Sequence, residues 1–194
     1  MKESLHNIIC FEAEWEYRED KNKFRMNTEP LLNWLKVFHG CNVVYRHILS
    51  KQDLQYYLCY FASHKREFKN YDIVYMACHG WHHSISLEGD EGDIDLNELC
   101  EMADGFFENR MIHFGTCKTL ANSNEAEKFK EVSKARLVSG YQRSVDAMAS
   151  AIADAAFFNA VMTCKNVGIF KNKVTSSFWK TYGSLLDELK FEVY

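Results

Sequence analysis

The sequence predicts an α/β fold of three layers, α/β/α, with a mainly parallel sheet covered by helices on both faces. Three observations carry this. Short β-branched or aromatic runs alternate with longer segments of helical period. The intervals between successive runs suit the right-handed crossovers of a parallel sheet. The third run, Asp72 to Cys78 (DIVYMAC), is almost wholly apolar at its centre, as a strand covered on both faces must be. A length of 194 residues is enough for one domain and short for two, so residues 1–194 are read as a single domain.

The elements follow in order. Leu5 to Phe11 (LHNIICF) reads as the first strand. Thr28-Glu29-Pro30 reads as an N-cap and the opening of a helix, with Pro30 where it sacrifices no hydrogen bond. That helix runs to about His39 and stops near Gly40. Asn42 to Ile48 is the second strand, and Ser50 caps a helix to about Phe68 whose apolar side includes Leu54, Tyr57, Leu58 and Phe61. After the third strand, Ser84 to Leu87 alternates, Glu88 to Asp93 is an acidic turn, and Asp95 caps a helix to about Phe107. Met111 to Thr116 is the fourth strand. A helix around Glu125 to Ser133 precedes the fifth strand, Arg136 to Gly140. The alanine-rich segment from Ala147 to Met162 is helical. Beyond Gly168 a helix from Ser176 to Leu189 is expected, and the last 25 or so residues add either an extra helix or the edge of the sheet.

Hydrophobic residues make up 47% and charged residues 26%, which suits a packed core and excludes a disordered chain. One proline and nine glycines exclude collagen-like, linker-rich and many-turned sandwich architectures. The net charge of −4, without a long basic run, argues against nucleic acid as a partner. No apolar stretch approaches the roughly 18 to 20 residues that span a bilayer, and the first residues lack the apolar core of a signal peptide. The expectation is a cytoplasmic protein with no membrane partner. The seven cysteines are odd in number, widely spaced and without a CxxC pair, so they read as thiols rather than a disulfide framework.

In parallel sheets the working residues gather beyond the carboxyl ends of the strands. The third strand finishes on His79-Gly80 and the fourth on Cys117. Strands that neighbour each other lie about 4.8 Å apart, so side chains just past their ends can approach. A thiol beside an imidazole is the pairing that yields a nucleophilic thiolate. Backbone N–H groups of Gly80 and Cys117 could hold the oxyanion of an acyl-transfer intermediate.

YDIVYMACHG resembles the histidine motif of caspase-like cysteine peptidases, where an apolar strand ends in His-Gly. HFGTCKTL resembles their nucleophile motif in the CHAT-domain form: an apolar strand, a small residue, cysteine, one variable residue and threonine (Thr116 to Thr119). ARLVSGYQRSVDAMASAIADAAFF has the shape of the CHAT and separase segment in which an aspartate precedes a long helix. SISLEGDEGDIDLNELCEMA is similar to the hairpin and capped helix between the two catalytic strands. The likeness covers about residues 71 to 160. It implies a cysteine endopeptidase with His79 as general base, Cys117 as nucleophile and Gly80 as oxyanion donor, acting on protein or peptide without a cofactor. It further implies a regulated effector of bacterial stress or defence systems, with a regulatory protein as possible partner.

By the same resemblance Asp146 matches the acidic residue that selects arginine or lysine before the scissile bond, with Glu12, His82 and Ser144 as further substrate-binding candidates. Two readings of Asp146 stand side by side, since a carboxylate before AMASAIADAA is also placed to cap that helix. The run Tyr141 to Val145 departs from the hydrophobic Ser-Leu-Trp type of CHAT domains, and Arg143 offers the opposite charge. Cys78, His79, His82, His83, Cys100 and His113 could supply zinc ligands, but no second pair stands at zinc-ribbon spacing, and alternation sends Cys78 and His79 to opposite faces. No metal is expected. The acidic run Glu88 to Asp95 lacks the EF-hand ligand order. Trp15, Tyr17 and their glutamate neighbours are expected on one wall of the cleft. The alternative to an enzyme is a catalytically silent pseudo-peptidase that binds protein through the same cleft. A flavodoxin-like nucleotide domain is a third reading, opposed by the bulky, acidic Phe11 to Tyr17 where a phosphate loop would need glycines.

Overall fold

Four largely apolar strands form the middle of the molecule. In a computed structural model, which describes residues 4–13, 27–88 and 92–194, β1 (Ile8–Glu12), β3 (Ile73–Ala77), β7 (Met111–Phe114) and β8 (Leu137–Tyr141) are buried along their whole length. They are flanked by β2 (Val43–His47) on one edge and β9 (Phe191–Val193) on the other, in the order β2-β1-β3-β7-β8-β9. Every pairing is parallel except β8 with β9. Successive side chains leave a strand on opposite faces. Ile9, Phe11, Val74, Met76, Ile112 and Phe114 therefore pack on one side, against α2 (Lys51–Ser63), α3 (Leu96–Met102) and α4 (Ser123–Ser133). Ile8, Cys10, Ile73, Tyr75 and Met111 pack on the other, against α1 (Glu29–His39), α5 (Ala147–Val161) and α6 (Ser177–Leu189). The three layers are those the sequence predicts.

Local chemistry sets the ends of the helices. Ser50 and Asp53 form a reciprocal capping box on α2. That helix stops at Ser63 rather than Phe68: the Ser63 hydroxyl donates to the carbonyls of Cys59 and Tyr60 (both 2.9 Å), and the His64 ring takes Tyr60 O as well, at 2.7 Å. The terminal carbonyls are thus satisfied without another turn. α3 stops at Met102 rather than Phe107 because Asp104 and Gly105 adopt positive φ. Pro30 sits in the first turn of α1, and Gly40, at φ 66°, closes it. Thr28 departs from expectation, since its side chain makes no cap bond. Its N–H instead donates to both carboxylate oxygens of Glu12 (2.9 and 3.1 Å), and its hydroxyl donates to Oε2 at 2.7 Å.

Two departures concern strands. The chain leaves the main sheet at Cys78, and β4 (His79–Trp81) pairs with β5 (Ser84–Ser86), which pairs with β6 (Ile94–Asp95), in a small antiparallel sheet. The tail supplies both expected alternatives, with α6 covering one face and β9 the edge. Trp15, Tyr17 and their glutamate neighbours lie outside the described residues, as does part of the acidic turn, 89–91.

Candidate active site

β3 and β7 are neighbours, paired from Ile73–Met111 to Met76–Phe114. The chain therefore delivers His79-Gly80 and Cys117 to the same carboxyl edge. Gly80 is what lets them meet. A Cβ there would lie 2.5 Å from the Cys117 carbonyl oxygen and 2.3 Å from Thr119 Oγ1. No residue with a side chain fits that approach.

The turn after β7 is fastened to the β4–β5 hairpin at several points. Thr116 Oγ1 donates to Thr119 Oγ1 (2.6 Å), which donates to the Ser84 carbonyl (2.8 Å). The His83 N–H faces the Lys118 carbonyl at 3.5 Å. Lys118, at φ 55°, lays its ammonium over the Trp81 ring, 3.9 Å from the centroid. On its other side the turn leans on the segment after β8, where the Lys118 N–H donates to the Arg143 carbonyl at 3.1 Å. The Val145 N–H points at Cys117 Sγ from 3.4 Å.

His82 and His83 form the two-residue turn between β4 and β5, both at positive φ (31° and 70°), as a type I′ hairpin requires. Trp81 and Ser84 flank the turn as the closing pair. Alternation then leaves Gly80 at the non-hydrogen-bonded position, with its N–H directed away from β5. The backbone of His79 pairs with Ser86, but its exposed imidazole makes no hydrogen bond or ion pair among the described residues. Cys117 is partly accessible, whereas Cys10 and Cys78 are buried. Burial, with the Glu12 charge adding to it, pushes both of those thiols well above the usual range. Accessibility thus singles out Cys117 on this rim.

The remaining predicted residues fall in different places. Ser144 and Asp146 are exposed on the segment beside Cys117, and Asp146 Oδ1 accepts from the N–H groups of Met148 and Ala149 (both 3.0 Å) as the N-cap of α5. Glu12 is only 2% exposed, with its carboxylate on Thr28. His82 is exposed at the hairpin tip. His113 is not with the other histidines but inside the α1/α5/α6 face, and no group of three or more His, Cys, Asp or Glu among the described residues is placed to hold a metal ion.

Three features escape sequence reasoning. One is the backbone of Val145 at the sulfur. Another is a buried polar network around Asp154, the lone charged residue of the apolar helix α5. It accepts the Tyr75 hydroxyl (2.7 Å), the Tyr141 hydroxyl and His113 Nε2 (2.8 Å), and His113 Nδ1 faces Ser139 Oγ at 2.9 Å. The carboxylate fixes the proton on Nε2. Burial and the Asp154 charge push both phenols well up, so they stay donors. A charge alone in an alanine-rich helix was the available signal. The last is a cavity of about 390 Å³ between α1 and α5.

Fold and rim together define a three-layer α/β/α protein with an accessible thiol and an imidazole at the carboxyl ends of adjacent parallel strands. The chain belongs to DUF6642, a family of unknown function whose model matches residues 5–194. Comparison with the curated proteins finds no match. No helix among the described residues is long and apolar enough to cross a membrane.

Proposed function

We propose that this protein is a cysteine endopeptidase of the caspase-like, CHAT-related type, working through His79 and Cys117. The single observation that carries the reading is the packing of Gly80 against the Cys117 carbonyl. It sets the imidazole-bearing strand end beside the thiol-bearing turn.

The chemistry follows from that placement. Cys117 gives its proton to His79 and the sulfur attacks the scissile carbonyl, forming a C–S bond. The oxyanion lies against the N–H groups of Gly80 and Cys117. The imidazolium returns the proton to the departing amine as the C–N bond breaks. Water then adds to the thioester, passing its proton through His79, and releases the carboxylic acid and the thiol. The Val145 N–H, 3.4 Å from the sulfur, fixes where the nucleophile sits. The resemblance extends the proposal to a regulated effector that acts with a partner protein.

Intact-mass detection of labelling by peptidyl acyloxymethyl ketones tests the reading. Single-site labelling that is lost in Cys117→Ala and in His79→Ala is the expected result. Equal labelling of several thiols, independent of His79, overturns it in favour of a binding module built on the same cleft.

A further inference from the structure

We infer that the cavity between α1 and α5 receives the substrate side chain on the acyl side of the scissile bond and selects a large apolar residue. The inference rests on the peptidase reading and adds its substrate class.

Position is the first argument. Helices α1 and α5 both start at the carboxyl edge of the sheet, where Cys117 lies, and their opening turns line the cavity. Two chain segments run from the turn of the nucleophile to the cavity wall. Cys117 Sγ rests on the backbone of Val145, two residues before Ala147 on the cavity wall. Beneath, Gly115 faces the cavity floor: a Cβ there would lie 2.7 Å from the Tyr75 ring and 3.0 Å from Asp154 Oδ2. Both of those residues line the cavity. Gly115 is two residues before the nucleophile, and its backbone packs directly on these two side chains.

Chemistry is the second. The walls are Pro30, Leu31, Trp34, Met148 and Ile152, with alanines between. Among the described lining residues, which also include the neutral polar Asn27, Thr28 and Ser150, the one charged group is Asp154, and both its oxygens are engaged, Oδ2 by Tyr75 and Oδ1 by Tyr141 and His113. An arriving ammonium or guanidinium would compete with three donors already in place, while burial would remove its hydration. Asp146, the carboxylate expected to read a basic residue, is not among the lining residues and caps α5 from an exposed position. A volume of about 390 Å³ lies in the range of true ligand pockets, so a large side chain gains more from it than alanine does.

The test is the rate of Cys117 labelling by acyloxymethyl ketones of one peptide ending in Gly, Ala, Leu, Phe, Arg, Lys or Asp. Leu and Phe are expected to react at least about tenfold faster than Ala, Arg, Lys or Asp, since one methylene in an apolar pocket is worth roughly tenfold or more. Ala151→Phe, which fills the cavity from an exposed position on its wall, is expected to lower the Leu-to-Gly ratio about tenfold. Should that variant not fold, Ile152→Ala serves instead, and is expected to raise the Phe-to-Leu ratio several-fold. Fastest labelling by Arg, Lys or Asp, still dependent on His79, overturns the pocket assignment and leaves the peptidase standing. Ratios unmoved by the cavity variants overturn it too. No His79-dependent labelling by any probe removes the peptidase reading and this inference with it.

Discussion

The two ends of the central sheet treat histidine in opposite ways. At the amino end His6 is 5% exposed and locked, with Nδ1 on Asp72 at 2.7 Å and Nε2 on the Cys164 carbonyl at 2.9 Å. Arg136 takes the same Asp72 oxygen at 2.7 Å. Nearby, Arg110 closes over the carbonyls of Tyr71, Phe106 and Phe68. At the carboxyl end the His79 imidazole is exposed and without a bonded partner among the described residues, beside a partly accessible thiol. Satisfied groups hold a fold together. An imidazole left open on a rigid rim is available to move a proton. The amino end is therefore tied down by its own side chains, and on the proposed peptidase reading the carboxyl end is the chemical one, in keeping with where open α/β sheets place their ligands.

Exchanging the two histidines for alanine breaks this comparison most directly. His79→Ala is expected to slow Cys117 labelling by about 10² to 10⁴ while leaving the urea midpoint within experimental scatter. Gly80→Ala comes next. Its methyl would drive the hairpin off the 116–119 turn, costing roughly 1 to 3 kcal/mol of stability and at least about tenfold in labelling. His6→Ala should do the reverse of His79→Ala, lowering stability by about 1 to 3 kcal/mol in denaturant titration with labelling retained. Equal effects of the two histidine variants on both readouts would erase the distinction between the ends. Thr119→Val removes the hydroxyl that ties the turn to Ser84 and is expected to cost about 1 kcal/mol, read by thermal unfolding.

The smallest effect is on pH dependence. Burial pulls the His6 pKa down, but its bonds to Asp72 and the Cys164 carbonyl and the Asp72 charge outweigh that and raise it above the ordinary 6.5. Burial pushes Asp72 up, yet His6 and Arg136 outweigh it and hold the carboxyl below 3.8. The raised histidine contributes stability that is full below pH 6.5 and lost as pH rises through its folded value. The depressed carboxyl contributes stability that is full above pH 3.8 and lost as pH falls. Unfolding followed across pH should show the pair strongest between those two values. In His6→Ala the histidine's share of the decline on the alkaline side should vanish.

The strand and helix order, the layers, and the identity of His79, Gly80 and Cys117 as rim residues were legible in the sequence. Apolar runs too uniform for a one-sided sheet and the glycine directly after the strand-end histidine are local signals, and burial acts on them locally. So were Pro30 in the first turn of α1, Gly40 at its end, and the caps at Ser50, Asp95 and Asp146, since a helix end is satisfied by residues within one turn of it. Thr28 was misread because its competing partner, Glu12, is 16 residues away.

What only the tertiary structure decided is which distant groups share a space. The departure of β4 from the main sheet, the Val145 N–H at the sulfur, the partners of Asp154 and the α1–α5 cavity each need two or three segments far apart in the chain. Sequence spacing carries the periodicity of a strand or helix. The interval between His79 and Cys117 did suggest that their two strands are neighbours, as they are, but spacing does not carry the full order of the sheet, which fixes what else meets at the strand ends.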